Sequence, residues 1–250
     1  MSALVADLSA ALDPVRFAQA SGLDPDPWQC DVLRSASRRI LLNASRQTGK
    51  STTTAILALH EALYVPGSLI LLLSPSLRQS SELFRTVARR YTATGATVPS
   101  TAESALRLEL SNGSRIISLP ASEATIRGYA GVATLIVDEA SRVPDDLYHA
   151  IVPMLATTDG RIIGLSTPWG RRGWWADAWL HGGDAWERYE VPATRCPRIS
   201  PAFLADARRS MGDFWYRQEF LCEFMDNETQ AFATTDIAAA ISEGVEQWEL

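Results

Sequence analysis

Lysine is all but missing from this 250-residue chain: of its 23 basic residues, only Lys50 is a lysine and the rest are arginine. A sequence that uses arginine everywhere else has kept one compact, flexible ammonium, which is the kind of point charge that suits phosphate. Cysteine is scarce too. Cys30, Cys196 and Cys222 are widely separated and show no metal-ligand spacing, which excludes a disulfide framework or a zinc module and makes a reduced setting the default. No apolar run approaches the length needed to cross a bilayer, the longest being 68–73 and 133–137. The first twelve residues lack a basic segment and carry Asp7, so no secretory signal is expected there. Positive charge is not in excess either. A net charge of −6 argues against a surface that is one nucleic-acid footprint, leaving a local arginine stripe as the way to meet phosphate. Repeats and low-complexity tracts are absent.

What is present is the composition of a soluble globular protein, 46% hydrophobic and 21% charged, with material for one large α/β domain or one domain plus a small appendage. The chain is organised around 40–51. Ile40-Leu41-Leu42-Asn43 reads as a buried strand, Ala44-Ser45-Arg46-Gln47-Thr48-Gly49 as a small polar loop, and Lys50-Ser51 as the start of a helix. Such a strand, loop and helix wrap backbone N–H groups round a polyphosphate and aim the positive end of the helix at it. Lys50 would reach the β- and γ-phosphates and the Ser51 hydroxyl would hold Mg²⁺. Ala44 stands where the pattern G-x-x-x-x-G-K-[ST] has its first glycine. The rival reading is a helix start with an incidental Gly-Lys-Ser.

Upstream, Asp13-Pro14 predicts a short helix to about Gly22, and Asp26-Pro27 opens a second. It bears Trp28 and Gln29, for which two readings stand: a glutamine that reads the edge of adenine, or a core tryptophan beside a surface glutamine. Downstream, periodicity predicts a helix over 50–64, a buried strand over 69–73 and a helix over 77–91. Arg85, Arg89 and Arg90 share a face of that last helix, either solvated or set against a DNA backbone. Alternation over 106–110 and 115–119 about Ser111-Asn112-Gly113-Ser114 predicts a hairpin on the rim of the sheet. One helical turn at 122–126 ends in Arg127-Gly128-Tyr129.

The second chemical stretch is 133–141, an apolar strand ending in Asp138-Glu139-Ala140-Ser141 about ninety residues after the loop. In open α/β sheets ligands sit at the C-terminal ends of strands. Asp138 would hold Mg²⁺ through water, and Glu139 would polarise the attacking water; the plain alternative is an acidic turn. A helix over 145–156 and a strand over 161–166 follow, whose tip Ser166-Thr167-Pro168 should lie beside the first strand. Its hydroxyls would bond a γ-phosphate or the water, or merely mark a strand-to-proline turn. After Gly170 come Trp174, Trp175, Trp179, Trp186, Phe214, Trp215, Phe220 and Phe224. They read as an aromatic core under a small lid rather than a base-stacking surface. A last short helix is expected at 236–242.

Taken together, Trp28-Gln29, A-S-R-Q-T-G-K-S, Asp138-Glu139-Ala140-Ser141, Ser166-Thr167-Pro168-Trp169-Gly170 and Trp215-Tyr216-Arg217-Gln218-Glu219-Phe220 with Cys222-Glu223-Phe224 resemble the ATPase half of a tailed-phage terminase large subunit. The resemblance covers about residues 13–242. It implies a P-loop NTPase of the RecA/ASCE-like kind: a mostly parallel sheet flanked by helices, with a β-hairpin insertion and a small lid subdomain. An ATPase core over 1–194 and a helical lid or linker over 195–250 are expected. It implies a Mg²⁺-dependent ATPase that drives double-stranded DNA into a procapsid, in the cytoplasm of an infected bacterial host. The partners would be portal protein and a small terminase subunit, with a homo-oligomeric ring when assembled and a monomer when isolated. By resemblance, Trp28 and Gln29 lie on the adenine side, and Ser45, Arg46, Gln47, Thr48, Gly49, Lys50 and Ser51 form the phosphate loop. Asp138 is the magnesium-side acid, Glu139 the catalytic base, and Ser166 and Thr167 the coupling motif. The catalytic arginine is either Arg46 in cis or Arg127 from a neighbouring subunit, with Arg127 favoured. Full-length terminases continue into a nuclease domain with metal-binding carboxylates, so no DNA cleavage is expected from this piece. Two other readings remain: a superfamily-2 helicase or translocase core, for which 171–250 is too short to supply the second RecA-like domain, and a non-catalytic nucleotide-binding module that sets ring geometry.

Overall fold

The computed structural model describes residues 3–122, 126 and 128–226. Most of the turn expected at 122–127, including Arg127, and the helix expected at 236–242 lie outside them. Three helices precede the first strand: α1 (Ala3–Leu12), α2 (Pro14–Ala20) and α3 (Pro27–Arg34). The sequence dictates their starts. Asp13 caps α2 by accepting from Val15 N–H at 3.0 Å, and Asp26 caps α3 with proline behind it in the first turn. Arg34 then pairs with Asp13 at 2.7 Å, tying α3 to α2.

The sheet comprises β1 (Arg39–Ala44), β2 (Leu69–Ser74), β3 (Ser100–Ser104), β4 (Arg107–Leu110), β5 (Arg115–Pro120), β6 (Thr134–Asp138), β7 (Arg161–Ser166) and β8 (Glu187–Val191). Their spatial order is β3-β4-β5-β2-β6-β7-β1-β8. From β5 to β8 every neighbouring pair is parallel; only β3 and β4 run antiparallel, at one edge. Every residue of β2 is buried, as befits a parallel strand covered on both faces, and its unbroken Leu-Ile run follows from that. Ile40, Leu42, Ile70 and Leu72 face one helical layer, which includes α4 (Lys50–Tyr64) and α5 (Leu77–Ala93). Leu41, Leu71, Leu135 and Ile162 face the other, with α6 (Asp145–Ile151) and α7 (Gly173–His181). The hairpin sits on the rim as expected, with β5 joined to β2 and the additional strand β3 outside it.

Two edge strands were invisible in the sequence for a physical reason. β3 is exposed throughout and β8 is mostly half-buried and polar, so neither has a face to write in apolar residues. The aromatic stretch also has a different place from that expected. Trp174, Trp175 and Trp186 pack against the sheet face rather than under a lid. Gly164 makes room for them, because a Cβ there would lie 2.8 Å from Trp175 Cζ3 and 3.3 Å from Trp174. Gly164→Ala should therefore lower unfolding free energy by about 1–3 kcal/mol, read from urea denaturation; an unchanged midpoint would show that the tryptophans can step aside. The last described helix, α8 (Pro201–Leu221), breaks direction at Gly212 and buries its own small cluster of Ala193, Leu204, Ala207 and Tyr216.

The consequence of this order is that three strand tips meet. β7 lies between β1 and β6, with Asn43 level with Ser166 and Leu165 level with Asp138. Ala44, Asp138 and Ser166 thus end at one edge, the edge at which parallel sheets hold ligands.

Candidate active site

The loop after β1 is held from several sides. Ser45 N–H donates to Val191 O of β8 at 3.0 Å, and the Thr48 hydroxyl donates to Ser45 O at 2.8 Å. Left-handed backbone occurs at Gln47 (φ 63°) and Gly49 (φ 100°). Ala44, where a glycine was expected, is the last residue of β1 and pairs with Val191 in ordinary extended conformation. The position needs no positive φ, so a methyl is tolerated. Gly49 is different: a Cβ there would meet Gln29 Nε2 at 3.0 Å.

Lys50 begins α4 and is 7% exposed. Its Nζ lies 3.7 Å from Glu139 Oε1 and 3.4 Å from Ala44 O, to which it donates. A cleft of about 300 Å³ separates the loop from the acidic strand tip, lined by Arg46, Gln47, Gly49 to Thr52 and Glu139. Across it, Glu139 stands in left-handed conformation, φ 49° and ψ 44°, uncommon for a residue with a side chain. Its second carboxylate oxygen, Oε2, is buried with no hydrogen-bond partner among the described residues. Asp138 accepts from Glu139 N–H at 3.0 Å. Burial, and after it the neighbouring Glu139 charge, pushes the Asp138 carboxyl up to about 6, with Lys50 opposing. The charged form is thus costly until a cation shares the site.

The oxygen donors here fit a hard cation. The Ser51 hydroxyl at the start of α4 and the Asp138 carboxylate at the β6 tip are oxygen donors of the kind such a cation takes, and among the described residues no group of three or more His, Cys, Asp or Glu could cage a metal alone. Mg²⁺ is bound in this manner, through one or two protein oxygens with phosphate and water completing the shell.

Ser166 and Thr167 are buried at the β7 tip. The Ser166 hydroxyl lies 2.7 Å from Ser141 Oγ and accepts from Ser141 N–H at 3.2 Å. Gln29 is 2% exposed and committed at both ends of its amide. Oε1 accepts from Asp26 N–H at 2.8 Å, while Nε2 donates to Thr53 Oγ1 at 2.8 Å and to Gly49 O at 3.4 Å. It lies against the phosphate loop and closes the cap of α3. Trp28 is half-buried against the helical layer, its indole N–H buried and unpartnered among the described residues. Arg46 is exposed and holds Glu219 of α8 at 2.7 Å. Arg127 falls outside the described residues.

Contacts from the chain's end escaped the sequence reading. Arg198 grips Asp26 with both terminal nitrogens, at 2.9 and 2.8 Å, and donates to Thr48 O at 2.9 Å. One guanidinium thereby fixes the cap of α3 to the phosphate loop. Ser45 Oγ donates to Glu219 O at 2.9 Å and Asn43 Nδ2 to Cys222 O at 2.8 Å. These partners lie 150 or more residues apart in sequence, and no local pattern marks them.

Comparison with known proteins fits this geometry. Residues 41–239 match the family model described as terminase large subunit, T4likevirus-type, N-terminal. The large terminase subunit of Thermus phage G20c is 24% identical, over 89% of this chain and 53% of its own. The chain therefore spans about half the length of that relative. Among solved structures, the large terminase ATPase domain of Thermus phage P74-26 superposes with a TM-score of 0.74 at 23% identity, covering 84% of this chain and 98% of that one. A large terminase from a thermophilic bacteriophage, solved in complex with ADP, gives 0.67 at 12% identity, covering 80% of this chain and 54% of that one. The mostly parallel, helix-flanked sheet is shared with these structures, and the chain belongs to the terminase large-subunit family as its N-terminal domain.

Proposed function

We propose that this domain is the ATP-hydrolysing motor of a terminase large subunit and drives double-stranded DNA into a procapsid in the host cytoplasm. The observation that carries the proposal is the meeting of Lys50 and Glu139 across the cleft, at 3.7 Å, where the loop and the acidic strand tip face each other. A relative solved with ADP, and the same phage protein solved with ATP-gamma-S, support nucleotide as the ligand.

In the proposed reaction, backbone N–H groups of 46–51 and the Lys50 ammonium hold the β- and γ-phosphates. Ser51 and Asp138 would hold Mg²⁺, which when bound neutralises charge between the phosphates. Glu139, with Oε2 lacking a partner among the described residues, orients the water for in-line attack on the γ-phosphate and takes its proton. Gln29 and Trp28 flank the adenine side, where Gln29 acts by fixing Gly49. Arg46 is the arginine within the subunit, its guanidinium now on Glu219, and Arg127 is the candidate from a neighbour. The lid or linker begins near 195. For DNA the arginine face of α5 is one candidate surface: Arg85 pairs with Glu82 and Arg90 donates to Ser21 O, while Arg89 stays exposed. Arg208, Arg209 and Arg217 of α8 are each paired with a carboxylate. Portal protein and the small subunit are the proposed partners. No DNA cleavage is assigned to this piece.

A ring supplies the test. Turnover per chain should rise with protein concentration, and Arg127→Ala should remove that rise, lowering saturated turnover by about 10³-fold, with ADP affinity retained. Turnover independent of concentration would contradict the ring.

A further inference from the structure

Glu139 holds a left-handed backbone conformation uncommon for a residue with a side chain, and such strain persists only where the surroundings over-determine it. Before it, Asp138 Oδ1 accepts from Glu139 N–H. After it, Arg142 N–H donates to Glu139 O at 2.9 Å, closing a tight turn over Ala140–Arg142. That turn is fastened to the β7 tip by one residue. Ser141 Oγ lies 2.9 Å from Thr167 O, which can only accept, so the Ser141 proton is spent there. The 2.7 Å contact between Ser141 Oγ and Ser166 Oγ is then made by the Ser166 proton, while Ser166 Oγ accepts from Ser141 N–H at 3.2 Å. The result is a closed ring of hydrogen bonds among Ser141, Ser166 and Thr167, two residues from the base. Beside it the Arg142 guanidinium lies 3.8 Å over the Trp169 ring, so the same turn and the same β7 loop are clamped twice.

We propose that Ser141 is a positioning residue for the reaction: its hydroxyl latches the turn after Glu139 to Ser166 and Thr167, and so keeps the Glu139 carboxylate facing Lys50. This rests on the reading of Glu139 as the base and adds the part that holds it. It also gives the Ser166 hydroxyl a partner other than phosphate. Movement of the β7 tip would reach the base directly through the latch, and an aromatic contact from Trp169 to Trp215 of α8, 6.2 Å between rings, continues the connection to the chain's end.

The test is steady-state ATP turnover of the chain with double-stranded DNA present, beside calorimetric binding of ADP. Ser141→Ala should lower kcat at least about tenfold, since small misplacement of a reacting group is costly, while KM for ATP and Kd for ADP stay within about twofold. Ser141→Thr, which keeps the hydroxyl, should restore kcat to within about threefold of the parent. In a Ser166→Ala background, Ser141→Ala should cost less than it does alone, because the ring is already open. Should Ser141→Ala melt too low to assay, Ser141→Cys carries the same expectation with a smaller loss. Parent-like kcat in either variant, or ADP binding lost in step with kcat, would overturn the latch. Glu139→Gln assayed in the same series separates the two ideas: if it is inactive while Ser141→Ala is parent-like, only the latch fails, and if it turns over like the parent, the base and the latch fall together.

Discussion

Glu139→Gln should lose ATP turnover by about 10²–10⁴-fold, the usual worth of a positioned general base, while binding ADP as the parent does. The change is nearly isosteric, so it leaves the left-handed turn and its hydrogen bonds in place and removes only the charge. Of the two acids at the strand tip, Asp138 is buried and its carboxyl is pushed up to about 6, and it already accepts from the Glu139 backbone. Glu139 instead lines the cleft and has an oxygen without a partner among the described residues. Turnover is measured by phosphate release at saturating ATP. A parent-like rate would assign the water to another group.

Lys50→Ala should weaken ATP and ADP binding by about 2–5 kcal/mol, the cost of truncating one member of a buried, hydrogen-bonded charge pair, or about 30- to 5,000-fold in Kd. The effect is large because the other cations described at the loop are already paired, Arg198 with Asp26 among them. Lys50 is the only lysine of the chain, and Arg46, the one arginine within the loop, is engaged by Glu219. The variant also leaves Glu139 without its cation at 3.7 Å, so the anionic side of the cleft would then repel phosphate. Calorimetry with ADP reads this directly, and affinity within twofold of the parent would remove the loop from the account.

How far the sequence carried these conclusions depends on whether each feature is local. The loop, the acidic tip and their strands were legible because buried parallel strands write continuous apolar runs and their ends carry the polar chemistry. The placement of Ser166 beside the first strand was legible for the same reason. Ala44 looked like a flaw only while the pattern was read as letters; as the end of a paired strand it needs no glycine. In sequence Gln29 reads either as reaching the edge of adenine or as a surface residue; it is buried, with its amide spent on Asp26, Gly49 and Thr53, a commitment that appears only once those residues are seen in space. Arg198, Glu219 and Cys222 reach the loop from the far end of the chain, and β8 carries an edge strand's polar pattern, so neither left a local signal. The family match favours the terminase reading over a helicase core, which the shared acidic motif alone could not separate.

The most direct measurement is a crystal structure of the Glu139→Gln variant with ATP and Mg²⁺. The account predicts the γ-phosphate against the backbone N–H groups of 46–51 and Lys50 Nζ, Mg²⁺ between that phosphate and the Ser51 and Asp138 side, and an ordered water between the γ-phosphate and residue 139. Triphosphate bound away from Lys50, or with its γ-phosphate beyond the reach of residue 139 through one water, would contradict it.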